Sequence, residues 1–223
     1  MQSVILIILM VAAFVPAIVL HECAHGLMAY RLGDTTAKDA GRLTINPLAH
    51  IDLFGTVILP GLLIAISALS GGLGFIFGYA KPVPYNPANF KNIRQGEFLV
   101  GVAGPAANIV MALVGAAIAW GGDLLYAYAP TASLYVWYFG VYFCQVNLCL
   151  AFFNLIPVPP LDGASLIAFF LTDRGLVVYY KIQQYAMFFF LLLVIVVPYF
   201  TNVDVIGIYL NATAGNLANL LLP

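Results

Sequence analysis

Charge is what this sequence has least of. Of its 223 residues, 8% are Asp, Glu, Lys or Arg, against about a quarter in a soluble globular domain. Eight Lys and Arg face nine Asp and Glu, for a formal net charge of −1. No basic surface is left to hold a phosphate backbone, and nucleic acid is excluded as a partner. Cysteine is scarce as well. Cys23, Cys144 and Cys149 lie in apolar stretches without paired spacing, which argues against both a disulfide framework and a thiolate metal site. They read as small hydrophobic residues. Internal repeats, low-complexity tracts and an appended soluble domain are also missing, so residues 1–223 read as a single domain.

What is abundant is apolar surface. The chain is 63% hydrophobic with a mean hydropathy of +1.01, the composition of an all-α polytopic membrane protein. Residues 1–20, 53–80, 98–122, 124–161, 182–203 and 205–223 carry no Asp, Glu, Lys or Arg, and about 20 apolar residues suffice for a helix to cross the hydrocarbon. The first run continues as a helix to about Tyr30. It lacks the basic flank of a signal peptide and is read as permanent. Helices are expected near 3–30, 97–120, 134–156 and 178–200. A weaker apolar tail over 205–222 lies against the bundle, for about five transmembrane helices in all.

The run 53–80 is different, because Gly55, Pro60, Gly61, Gly71, Gly72 and Gly74 suit it poorly to an uninterrupted helix. If it re-enters and leaves on one side, all eight basic residues share that side; if it spans, they divide three to five. The positive-inside bias therefore favours a re-entrant segment, cytoplasmic basic loops and an external N-terminus. Gly41 to Leu48 and Ala80 to Phe90 are partly β-prone and are expected to pair as short strands beside the membrane.

Chemistry enters at His21-Glu22-Cys23-Ala24-His25. Histidines four apart on a helix share one face and can share a metal, with the intervening carboxylate beside its open position. Three ionisable groups in five residues of an uncharged membrane helix also need a partner, and a cation is the simplest. A catalytic zinc needs a third protein ligand. Asp162 ends a 38-residue stretch without charge and follows the proline-broken run Asn154-Leu155-Ile156-Pro157-Val158-Pro159-Pro160-Leu161-Asp162-Gly163. Two readings stand for it: third ligand, or N-cap of the apolar helix that begins after Gly163. The re-entrant topology brings both segments to the cytoplasmic side, whereas a spanning 53–80 would set them a bilayer apart, about 30 Å.

With both segments in place, the chain resembles the site-2 protease family of intramembrane zinc metalloproteases, in the small bacterial subgroup without PDZ or CBS domains. It fills H-E-x-x-H with His21 to His25 and N-x-x-P-x-P-x-L-D-G with Asn154 to Gly163. Gly101-Val102-Ala103-Gly104-Pro105-Ala106-Ala107-Asn108 is similar to the family's G-P-containing helix. The resemblance implies one zinc ion held by His21, His25 and Asp162, Glu22 as general base, and Asn154 facing the site, where its amide would donate to the oxyanion. An inter-helix bond is the other reading of Asn154. It also implies a transmembrane substrate cut within the lipid bilayer of a bacterial cytoplasmic (inner) membrane, with the site toward the cytoplasm. The unwound substrate is expected to add as a strand at 41–48 or 80–90. His50 is read as an interfacial histidine beside Asp52, and Gly101, Gly104 and Asn108 as residues of close helix packing. Two competing readings remain. A membrane metal transporter leaves Glu22 without a role, and a non-catalytic binder of membrane segments leaves it without a purpose.

Overall fold

The computed structural model describes residues 2–58, 61–62, 80–192, 196–201 and 203–223. Its frame is three long helices, α1 (Gln2–Arg31), α2 (Ile93–Leu125) and α3 (Pro130–Asn154). Among the described residues these are the helices long and apolar enough to cross a membrane. α2 starts four residues before the expected boundary because Asn92 caps it, accepting from the Gln95 N–H at 3.1 Å. α3 opens with Pro130 in its first turn, where a missing N–H costs nothing.

α2 and α3 form a close antiparallel hairpin joined by a short turn. A Cβ on Gly115 would lie 2.9 Å from Cys144 Cα, and one on Gly122 would lie 2.7 Å from the Trp137 backbone nitrogen, so glycine is what lets these backbones touch. α1 closes the bundle by setting Ala13 and Ala17 against Met111 of α2 and Phe143 of α3. The outward faces carry exposed Ile7, Ile8, Val110, Leu113 and Val114, the belt that lipid solvates in an integral membrane protein.

Beyond α3 the chain breaks, then forms α4 (Ala164–Phe170) and α5 (Asp173–Leu191). α5 begins before the expected residue 178 because the Thr172 hydroxyl accepts from the Gly175 N–H. The remainder of the expected 178–200 helix passes through residues 193–195, which lie outside the described residues. The apolar tail is helical as α6 (Val205–Leu221), with a wider turn at Asn211–Gly215. It packs Ala214 and Ala218 on Ala112, Ala116, Cys144 and Leu148, as a tail lying against the bundle should.

Two expectations fare differently. The short strands over 41–48 and 80–90 are not formed, and no strand occurs among the described residues. The two regions do run close together: the Lys81 N–H donates to His50 O at 2.9 Å and the Arg42 guanidinium to Lys81 O at 2.6 Å. No ladder develops, because Pro82, Pro84 and Pro87 withhold their donors and Pro47 starts a tight helical turn instead. The re-entrant course of 53–80 falls mostly outside the described residues; Leu53–Ile58 is one wide helical turn.

The loop after α1 is latched by Asp34, which is fully buried. Its carboxylate accepts from Thr36 Oγ1 and Asn89 Nδ2, both at 2.6 Å, and from the Asn86 N–H at 2.9 Å. Burial by itself would raise its pKa, but the donors from Thr36, Asn89 and Asn86 hold it below the usual carboxylate range. The 80–90 segment is thereby fixed beside the end of α1.

Candidate metal centre

His21 and His25 lie one turn apart on α1, rings edge to face with centroids 4.7 Å apart. Their Nε2 atoms are 3.0 Å apart, and Asp162 Oδ2 lies 3.1 Å from the first and 3.3 Å from the second. Both histidines are buried. Each ring is oriented from behind. His21 Nδ1 donates to Asn108 Oδ1, and His25 Nδ1 donates to Val100 O at 2.7 Å. With hydrogen on both Nδ1 atoms, both Nε2 lone pairs face the Asp162 carboxylate, and Oδ2 itself is buried without a hydrogen-bond partner.

Three acceptors thus converge with no donor among them, an arrangement that a cation resolves. Ligands about 2.0–2.1 Å from a tetrahedral zinc stand roughly 3.3 Å from one another. The separations of 3.0–3.3 Å fit one triangular face of that tetrahedron, and two imidazoles with a carboxylate are an ordinary zinc donor set. His21, His25 and Asp162 line a cavity of about 570 Å³ together with Glu22, Asn154, Tyr85 and Pro160.

Asp162 reaches this point because the chain cannot stay helical through Pro157, Pro159 and Pro160. The break is compact: the Gly163 N–H returns to Asn154 O at 2.6 Å, and Ser165 Oγ donates to Asp162 O at 2.7 Å. No side chain caps α4, so of the two readings of Asp162 the N-cap is not the one adopted. Its carboxylate turns to the histidines instead.

α2 supplies the wall behind the site, and here Gly101 and Gly104 do more than pack helices. A Cβ on Gly104 would stand 2.6 and 2.7 Å from atoms of the His21 ring and closer still to His25 Nε2. A Cβ on Gly101 would collide with Ser165 and stand 3.1 Å from Asp162 O. Asn108, read from sequence as a packing residue, is instead the orienting partner of His21. Its own Nδ2 donates to Asn147 Oδ1 at 2.8 Å, and Asn147 Nδ2 donates to Phe143 O at 2.8 Å. Both amides are fully buried. Asn147 was missed, although an amide in the middle of the apolar helix α3 is itself a signal.

Glu22 lines the cavity beside the histidines. Its Oε2 accepts from the Val83 N–H at 3.1 Å, and Oε1 has no hydrogen-bond partner among the described residues. Asn154 lines the same cavity, with Nδ2 bonded one turn back to Leu150 O at 3.0 Å. His50 is apart from the triangle: it is buried, its Nε2 donates to Thr44 O at 2.8 Å, and the Cys23 thiol reaches that carbonyl at 3.1 Å.

Two histidines and a carboxylate that could hold a metal, with a second carboxylate alongside, in a bundle of helices apolar enough to cross a membrane, are the arrangement of a membrane metallohydrolase. Comparison with known proteins gives the family. Residues 121–197, which contain Asp162 but not the histidine pair, match the family model described as Peptidase family M50. Over 163 residues the chain is 37% identical to "Putative zinc metalloprotease YwhC" of Bacillus subtilis (strain 168), covering 71% of this chain and 67% of that protein. It is 33% identical over 158 residues to "Putative zinc metalloprotease Rip2" of Mycolicibacterium smegmatis, covering 70% and 54%. For the protein of the same name from Mycobacterium tuberculosis (strain H37Rv), identity is 28% over 156 residues, again covering 70% and 54%. The alignments thus span about two thirds of YwhC and about half of Rip2. No solved structure gives a significant match. The chain belongs to peptidase family M50, the site-2 protease family of metallopeptidases.

Proposed function

We propose that this chain is an intramembrane zinc metalloprotease that hydrolyses peptide bonds in or near transmembrane segments of other membrane proteins. One zinc ion per chain is held by His21, His25 and Asp162. The observation that carries the reading is the triangle of three acceptors beside Glu22, whose Oε1 has no partner among the described residues, set between helices of membrane-spanning length. The resident zinc supplies a Lewis acid for the scissile carbonyl and makes water ionisable near neutral pH.

The protein's own groups do the rest. Asn108 and Val100 O hold the imidazoles with Nε2 inward. The Val83 N–H fixes one oxygen of Glu22, so Oε1 takes a proton from the attacking water and later delivers it to the departing amine as the C–N bond breaks. Asn154, on the cavity wall, exchanges its bond to Leu150 O for one to the developing oxyanion. The cavity gives an unwound stretch of substrate a protein-lined place at membrane depth, where exposed backbone is otherwise costly. The basic residues of 31–42 and 81–94 lie at the adjoining ends of α1 and α2 and in the segments between them, at the same end of the bundle as the site, which supports placing it toward the cytoplasmic side of a bacterial inner membrane.

Glu22→Gln tests the assignment. The variant keeps one zinc per chain and loses cleavage of a labelled membrane-spanning peptide in detergent; a Glu22→Gln protein that still cuts ends the reading. In the wild type, a zinc chelator stops hydrolysis, which separates a protease from a transporter or a passive binder.

A further inference from the structure

Glu97 is a third carboxylate on the wall of the same cavity, beside Glu22 and Asp162, and neither the metal triangle nor the proton transfer uses it. It sits one turn into α2, half-buried. No cation pairs with it among the described residues. Arg94, one turn away, gives its guanidinium to Asp173 at 2.7 Å. The hydrogen bond Glu97 does accept comes from the Tyr180 hydroxyl of α5, at 3.4 Å, long for an O–H···O⁻ contact. Among the described residues, no Lys or Arg lines the cavity. Asp162 is taken up by the histidine pair and Glu22 is fixed by the Val83 N–H, which leaves Glu97 as the cavity carboxylate without a short partner among the described residues.

Position makes this charge informative. Seven residues separate Glu97 from Gly104, two turns along the same face of α2, or about 10 Å. Gly104 is the residue against which the histidine rings rest. An extended peptide advances about 3.3 Å per residue, so a substrate residue facing Glu97 stands three places from the bond at the metal. Glu97 also lies at the end of the bundle that carries the basic loops, and the corresponding end of any membrane-spanning substrate is where Lys and Arg gather.

We propose that Glu97, with the Tyr85 and Tyr180 side chains on the same wall, forms a subsite for a Lys or Arg lying about three residues from the scissile bond. The protein thereby selects transmembrane segments with a basic residue at the cytoplasmic border of the cut. The incoming ammonium or guanidinium displaces the long Tyr180 contact with a charge-assisted one. This inference rests on the protease reading, but its main test needs no catalysis.

The probe is a fluorescent apolar membrane-spanning peptide carrying one Lys in its cytoplasmic flank, compared with the same peptide carrying Gln there. Binding is measured on zinc-loaded Glu22→Gln protein in detergent, where Glu22 contributes no charge. The Lys peptide binds roughly tenfold tighter than the Gln peptide, the coupling expected of a close desolvated charge pair. Adding Glu97→Gln abolishes the ratio, and adding Glu97→Lys inverts it in favour of a peptide with Glu at that place. Equal binding of the Lys and Gln peptides, or a ratio that survives Glu97→Gln at unchanged zinc content, overturns the subsite. In the unmodified protein, sliding the Lys along the peptide carries the cut with it at three residues' separation, whereas a cut that stays put counts against it. Preference in binding with no hydrolysis by the unmodified protein would leave the subsite standing and remove the protease reading instead.

Discussion

The metal triangle and the cavity rim are built from the same helices yet held in different ways. Each histidine is fixed from behind by a buried acceptor, and the Asn108–Asn147 pair that supports His21 is itself fully bonded inside the bundle. On the rim, Glu22 and Glu97 are half-buried and each has one hydrogen bond among the described residues, at 3.1 and 3.4 Å. The contrast separates two jobs. Groups that must hold an ion against desolvation are braced until they have one orientation. Groups that must change partners during binding or proton transfer are held by contacts weak enough to give up.

That contrast is breakable, and the largest effect lies at the triangle. Asp162→Ala removes one of the three proposed ligands and is expected to abolish both stoichiometric zinc and cleavage, read by elemental analysis beside the peptide assay. Next comes the bracing layer. Asn108→Ala frees the His21 ring and is expected to weaken zinc affinity by roughly 10–100-fold, measured by competition with a chelator. The bundle remains folded, since α1, α2 and α3 still meet through Ala13, Ala17, Met111 and Phe143. If zinc affinity were unchanged, the braced half of the comparison would fail.

A smaller effect is expected at the latch that sets the 80–90 segment beside Glu22. Asp34 has a pKa held below its unfolded value, so its contribution is fully present above about pH 4 and is lost as pH falls through the lower folded value. Amide-exchange protection at residues 86–90, taken relative to the intrinsic rate at each pH, should therefore fall in acid in the wild type. Asp34→Asn should show the faster exchange already at neutral pH, at a cost of about 1–3 kcal/mol in local stability. An Asp34→Asn protein with unchanged exchange at 86–90 would remove the latch.

The parts of this molecule that were legible in sequence are those where polarity is expensive. In a chain with so little charge, His21, Glu22, His25 and Asp162 stand out because lipid leaves them no neutral explanation, and the three long helices follow from hydropathy alone. The bracing amides were half legible. Asn108 and Asn147 are conspicuous in apolar helices, but their partners depend on how α1, α2 and α3 rotate against one another, which hydropathy does not encode. Glu97 was not legible as a cavity group, since a carboxylate near a helix start beside Arg94 and Gln95 reads as a solvated end. The β-prone reading of 80–90 failed for a local reason, since three prolines in the segment leave too few donors for a ladder.

Zinc bound per chain in the wild type, Glu22→Gln and Asp162→Ala, prepared side by side, bears most directly on the central claim that two imidazoles of α1 and one carboxylate beyond α3 hold a single ion. The account predicts one, one and none. A full equivalent of zinc in Asp162→Ala, or none in the wild type, would contradict it.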